Sequence, residues 1–133
     1  MASKSIRVMV VTPERMIVDE QAASVRVPMV DGSLGMLPGR APLVGRLGFG
    51  ELIIRTPAGT EQRYFLEEGF AEVRNDELTI LTPRATRSEE VNAEQAQAAL
   101  KLALTLPGRS ELEQQSRSKA VERARKSLSA ARN

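Results

Sequence analysis

At Arg84 the sequence changes its period, and that break constrains the fold more than any single motif. Up to that point, short runs of alternating or β-branched residues are separated by Pro, Gly, Asn and Asp. Beyond it the chain is rich in Ala, Glu, Gln, Lys, Arg and Leu, with apolar residues at helical spacing. Side chains repeat every two residues along a strand and about every 3.6 along a helix, so the two patterns in series describe two differently built parts. The expectation is a β-sandwich (a flattened barrel) over residues 1–84, followed by an antiparallel two-helix hairpin over residues 85–133.

In the first part, Ile6–Val11 alternates and is β-branched, and Thr12-Pro13-Glu14-Arg15 interrupts it because Pro donates no ladder bond. Met16–Asp19 restarts a short strand. Ser24–Val30 places Val25 and Val27 on one face before the turn chemistry of Asp31-Gly32. Gly50–Thr56, Gln62–Leu66, Phe70–Arg74 and Leu78–Leu81 follow at short spacing. Pro57–Thr60, Glu67-Glu68-Gly69 and Asn75-Asp76 connect them, and Pro83 ends the run. Short strands at this spacing, eight to ten in number, predict a sandwich or flattened barrel.

In the second part, Asn92-Ala93-Glu94-Gln95 reads as a capping box, with Asn92 as N-cap and Gln95 reaching back. Ala96, Leu100, Ala103 and Leu104 follow on one helical face until Leu106-Pro107-Gly108 stops the helix. A second helix starts near Ser110, with Glu111 and Glu113 at its positive end. Its stripe is Leu112, Ser116, Ala120, Ala124, Ser127, Leu128 and Ala131. Small residues allow close helix approach but bury little apolar surface. The predicted hairpin is therefore marginal alone and needs docking to stay folded.

Composition narrows the chemistry. Of 133 residues none is Cys, His or Trp, which excludes cysteine nucleophiles, Ser-His-Asp triads, disulfides and zinc sites built on Cys or His. Residues 1–84 hold ten basic against eleven acidic side chains, whereas residues 85–133 hold nine against six. Residues 115–133 carry six basic groups and only Glu122, a net of +5, which suits an acidic partner surface or a solvated helix face. Met1–Ser5 leads straight into the first strand without a signal-type stretch, and no window reaches the roughly 18 to 20 apolar residues that span a bilayer. A soluble protein is expected.

Two local readings are set aside. The Gly-rich stretch Asp31–Arg40 lacks the Gly-Lys-Ser/Thr ending of a phosphate loop and precedes no helix signal, so it reads as structural turns. Glu67 and Glu68, as adjacent strand residues, are expected on opposite faces and read as surface charge rather than an acid/base pair. With Phe49, Tyr64, Phe65 and Phe70 as the only aromatics, and no basic groove legible among residues 1–84, nucleic-acid binding is not expected.

Three motifs together carry a resemblance that covers essentially the whole chain. Gly32-Ser33-Leu34-Gly35-Met36-Leu37-Pro38-Gly39-Arg40-Ala41-Pro42-Leu43 resembles the G-x-x-G-x-L-P-G-H-A-P-L signature of the epsilon subunit of bacterial F-type ATP synthases, called delta in mitochondria. Thr12-Pro13-Glu14, and Gly69–Val73 with Leu78–Leu81, are similar to the family in the same order. Arg40 stands where the family has His, and Glu68 where it has Gly.

The resemblance implies a non-catalytic rotor subunit with no cofactor or metal, peripheral to the cytoplasmic face of the bacterial plasma membrane and not inserted in it. Its implied partners are gamma, the c-ring and the alpha/beta catalytic head. By resemblance Asp31, Gly32 and Ser33 face the c-ring, and Arg40, Ala41, Pro42 and Leu43 lie toward gamma. The hairpin either folds against the β-domain or extends toward the head, where Arg117, Lys119, Arg123, Arg125, Lys126 and Arg132 meet acidic residues and restrain hydrolysis. Some relatives bind ATP through a motif resembling Ile-Asp-x-x-Arg-Ala. Here the matching stretch is Val91-Asn92-Ala93-Glu94-Gln95-Ala96, with Thr86 at the upstream acidic position, so weak or absent ATP binding is expected. The alternative is a free-standing β-domain with a helical adaptor.

Overall fold

The computed structural model describes residues 4–132, with the side chain of Arg132 left aside. Met1–Ser3 of the N-terminal reading, and the proposed contact of Arg132, lie outside the described residues. Eight strands come first: β1 (Ile6–Val11), β2 (Met16–Ala22), β3 (Ser24–Met29), β4 (Gly32–Met36), β5 (Leu43–Arg55), β6 (Glu61–Arg74), β7 (Glu77–Leu81) and β8 (Ala85–Arg87). A 3-10 turn at Ser88–Glu90 leads to α1 (Ala93–Leu104) and α2 (Glu111–Arg132).

The strands form one sheet in the order β2-β1-β7-β6-β5-β3-β4, with β8 on the free edge of the first half of β6. The long strands β5 and β6 run through both layers of the sandwich, and the sheet does not close into a barrel. The later half of β6 pairs with β7, which lies parallel to β1. The early half pairs with the end of β5, which continues into β3 and β4. Ile6, Val8 and Val10 of β1 alternate inward to meet Val25, Val27, Leu52, Ile54, Leu66, Leu78 and Ile80 in the core.

The structure differs from the sequence reading in several places. Gly32–Met36 is not a run of turns but an antiparallel edge strand on β3, with Val27 opposite Leu34. β5 begins at Leu43 rather than Gly50, its first half being masked in sequence by Gly45 and Gly48. Gln62–Leu66 and Phe70–Arg74 are not separate strands; they belong to one strand kinked at Glu68 (φ 67°) and Gly69 (φ 124°). In the hairpin, Ala96, Ala103 and Ala124 are buried as the spacing predicts, but Leu104 and Leu112 are exposed. Ala130, absent from the expected stripe, is buried instead against Phe49 and Phe65.

Both helix starts are capped. Asn92 Oδ1 accepts from the Gln95 amide at 2.9 Å. Ser110 and Glu113 exchange side-chain-to-backbone bonds of 3.1 and 3.2 Å, a complete capping box that accounts for the start at Glu111. The sheet itself extends to Arg87, three residues past the break in composition.

Candidate functional site

The two outer faces of the sandwich have different fates. One is covered by the hairpin. Phe49 pairs with Glu67 and Glu51 with Phe65 across β5 and β6, and all four point out of the core toward α2 and its connector. Ala130 and Val91 pack on Phe49 and Phe65, while Ser88 donates to Glu51 at 2.7 Å.

The kink in β6 decides what else this face presents. The β5–β6 ladder passes from Leu47–Gly69 to Phe49–Glu67 without a pair between them. The left-handed turn at Glu68 therefore breaks the strand alternation. Its carbonyl is held by the Thr82 hydroxyl, which donates at 2.7 Å. A Cβ at Gly69 would run into the Leu81 carbonyl, so glycine is required there. The surface-charge reading of Glu67 and Glu68 is thereby overturned. Both carboxylates reach α2: Glu67 receives Arg123 Nε at 2.6 Å, and Glu68 lies 2.9 Å from Lys119 Nζ. The Glu67 side chain retains only 13% exposure, and Arg84 approaches it at 3.7 Å.

The five cations expected to meet an acidic partner thus fall into three groups. Lys119 and Arg123 are engaged by the β-domain. Arg117 donates to the Leu104 carbonyl at 3.4 Å, across the hairpin. Arg125 and Lys126 are exposed and form no ion pair among the described residues.

The opposite outer face is bare. Phe70 of β6 is directly opposite Leu81 of β7, and Val44 of β5 and Met16 of β2 join them on the same side. All four are exposed. Sequence reasoning named no such patch; the signal was available in the alternation, since Ala71 and Ile80 point inward and their neighbours Phe70 and Leu81 outward. Arg40–Leu43 enters this face at one end. Ala41 and Pro42 are exposed, Leu43 packs on the core, and Arg40 is half-buried with its Nε unpaired among the described residues. Gly39 beside it (φ 86°) donates its amide to Asp76 at 2.6 Å. Asp31, Gly32 and Ser33 lie at the other end of β4. They are exposed, with Gly32 at φ 124° and Arg26 within 3.4 Å of the Ser33 hydroxyl.

Between the hairpin and β6 is a cleft of about 390 Å³ lined by Phe65, Glu67, Arg84, Asn92, Gln95 and Arg123. Among the described residues no group of three Asp, Glu, His or Cys is placed to hold a metal, and no helix is long and apolar enough to cross a membrane.

Residues 5–88 match the family model described as ATP synthase, Delta/Epsilon chain, beta-sandwich domain. The chain belongs to the ATP synthase delta/epsilon family. An ATP synthase epsilon chain of Rhodopirellula baltica is 44% identical over 128 residues, covering 96% of this chain and 99% of the relative. One of Solibacter usitatus is 44% identical over 91 residues, covering 68% and 67%. The fold matches a chain of the Euglena gracilis mitochondrial ATP synthase with TM-score 0.86 at 24% identity, over 100% of this chain and 84% of that one. A chain of the Tetrahymena thermophila mitochondrial central stalk and c-ring matches with TM-score 0.76 at 14% identity, over 98% and 99%. Both helices of this family member therefore fall within the fold match, beyond the stretch that the family model covers.

Proposed function

We propose that the chain is the non-catalytic epsilon subunit of an F-type ATP synthase rotor, joining gamma to the c-ring and restraining ATP hydrolysis through its hairpin. The observation that carries this reading is the alignment with an epsilon chain over nearly the full length of both proteins, hairpin included. Residues 1–84 supply a platform whose long strands tie its two layers together, and residues 85–133 supply the regulatory element. The complex sits at the cytoplasmic face of the bacterial plasma membrane.

The exposed turn Asp31-Gly32-Ser33 is assigned to the c-ring. Arg40, Ala41, Pro42 and Leu43 are assigned to gamma, and the adjoining row Val44, Phe70, Leu81 extends that surface, because an uncovered apolar sheet face suits a permanent partner. Arg117, Lys119, Arg123, Arg125 and Lys126 are assigned to acidic loops of the alpha/beta head. A hairpin held by few apolar contacts changes place when a partner binds its extended form better.

Deleting residues 88–133 in the reconstituted complex tests the reading. Assembly and ATP synthesis should persist, and ATP hydrolysis should rise. Reversing Arg123, Arg125 and Lys126 to Glu should give part of the same rise, smaller at high salt. Unchanged hydrolysis in both variants would remove the inhibitory role.

A further inference from the structure

We propose that the Glu67–Glu68 pair is a built-in acidic decoy: it occupies Arg123 and Lys119 in the docked hairpin, so an acidic protein surface must displace it to recruit those cations. The proposal rests on the reading of the hairpin as a regulatory element and assigns the contact that holds it in place.

Three observations converge. Lys119 and Arg123 are four residues apart and share one face of α2. Adjacent residues of a regular strand cannot both serve such a face; Glu67 and Glu68 do so because Glu68 adopts φ 67°. That conformation disfavours every side chain except where the surroundings or a function retain it, and glycine would adopt it freely. The carboxylate at residue 68 thus stands at a costly position and is spent on Lys119. Finally, the apolar part of the docked contact is small, centred on Phe49, Phe65, Val91 and Ala130, which gives two ion pairs weight in the balance. Glu67 is mostly shielded from water, so its pair is screened less than an open surface pair.

The arrangement also provides for release. When Arg123 leaves, Arg84 of the β-domain is already beside Glu67 and keeps that carboxylate partnered. Arg125 and Lys126 are available while the hairpin is docked, so they meet an acidic surface first, and Lys119 and Arg123 follow only after the decoy is displaced.

The absence of cysteine allows spin labels at Ala58→Cys and Ser129→Cys, both exposed, to report the distance between β-domain and hairpin in the full chain. The Glu67→Gln/Glu68→Gln double variant should raise the long-distance population at least fivefold at low salt. Salt at about 1 M should give part of the same rise in the parent chain and little in the variant. A ten-residue polyglutamate peptide should release the parent hairpin. Glu68→Gly should loosen the hairpin while raising the melting temperature of the β-domain, which separates release from unfolding. Identical distance distributions in parent and double variant, or no response to polyglutamate, would overturn the proposal. These distances are read without the rest of the complex, so unchanged hydrolysis on hairpin deletion would remove the regulatory reading and leave the ion-pair result standing.

Discussion

Phe70 and Leu81 stand directly opposite each other on adjacent strands, and both point out of the sandwich into solvent. A cross-strand aromatic–aliphatic pair is ordinarily a core feature. Here it lies on a bare face. Replacing both with Ser should leave the melting temperature within a few degrees, since exposed side chains contribute only about 0.5 kcal/mol or less to folding. Co-purification with gamma should fall sharply; full retention would remove this face from the assembly surface.

At the other end of β4, the turn Asp31-Gly32-Ser33 is expected to rest on the c-ring. Ser33→Trp adds bulk at an exposed position where only the flexible Arg26 side chain need move, so circular dichroism should be unchanged while attachment to the ring weakens. Unaltered attachment would disprove the assignment of this turn.

The β6 kink makes Gly69 the least replaceable glycine of the β-domain. Gly69→Ala puts a Cβ against the Leu81 carbonyl in a sparsely populated backbone conformation that by itself costs a side chain about 1–3 kcal/mol. Urea denaturation should show a loss of more than about 2 kcal/mol. A loss below that would mean β6 and β7 shift apart at little cost.

Acid should weaken the β-domain through two carboxylates. Hydrogen bonds from Arg7 hold Asp19 below its ordinary 3.8, and hydrogen bonds from Arg55 and then Arg63 hold Glu61 below its ordinary 4.5. A carboxylate whose folded pKa is depressed adds stability above its unfolded value and loses it as pH falls through the folded value. Stability should therefore decline from about pH 5 downward. Arg7→Gln should flatten that decline, as measured by thermal melts across pH 2–6 (about the range in which both carboxylates titrate). An unchanged slope would show that Asp19 gains nothing from Arg7.

ATP should bind weakly or not at all. The cleft beside Asn92 and Gln95 has the size of a ligand site, but Asn92 Oδ1 is used in capping α1, and Arg123 is held by Glu67. With Asn and Gln where an acid and an arginine are expected, no fixed cation answers the phosphates from α1. Titration calorimetry decides this, and a micromolar dissociation constant would contradict it.

The strands with unbroken alternation were legible in sequence: β1 and β3 to within a residue, and β7 from Leu78 onward. β4 and the start of β5 were not, because Gly32, Gly35, Gly45 and Gly48 dilute the apolar signal and edge or bulged strands tolerate them. The helices were legible from composition and caps, but their buried faces only in part. Leu112 satisfies the spacing yet is exposed, while Ala130 fails it and is buried against the sheet. The docked contact was hidden for another reason: regular alternation sets Glu67 and Glu68 on opposite faces, and the left-handed turn at Glu68 suspends that alternation.

The parallel pairing of β1 with β7 sets when this protein can finish folding. Val8 waits for Leu78, which emerges from the ribosome seventy residues later, and until then β1 has only β2 beside it. Non-local pairing of this kind slows folding and leaves a strand edge unprotected during synthesis. The hairpin is made after the β5 and β6 strands it rests on, so it docks only once they are paired, and its undoing need not disturb any step before it.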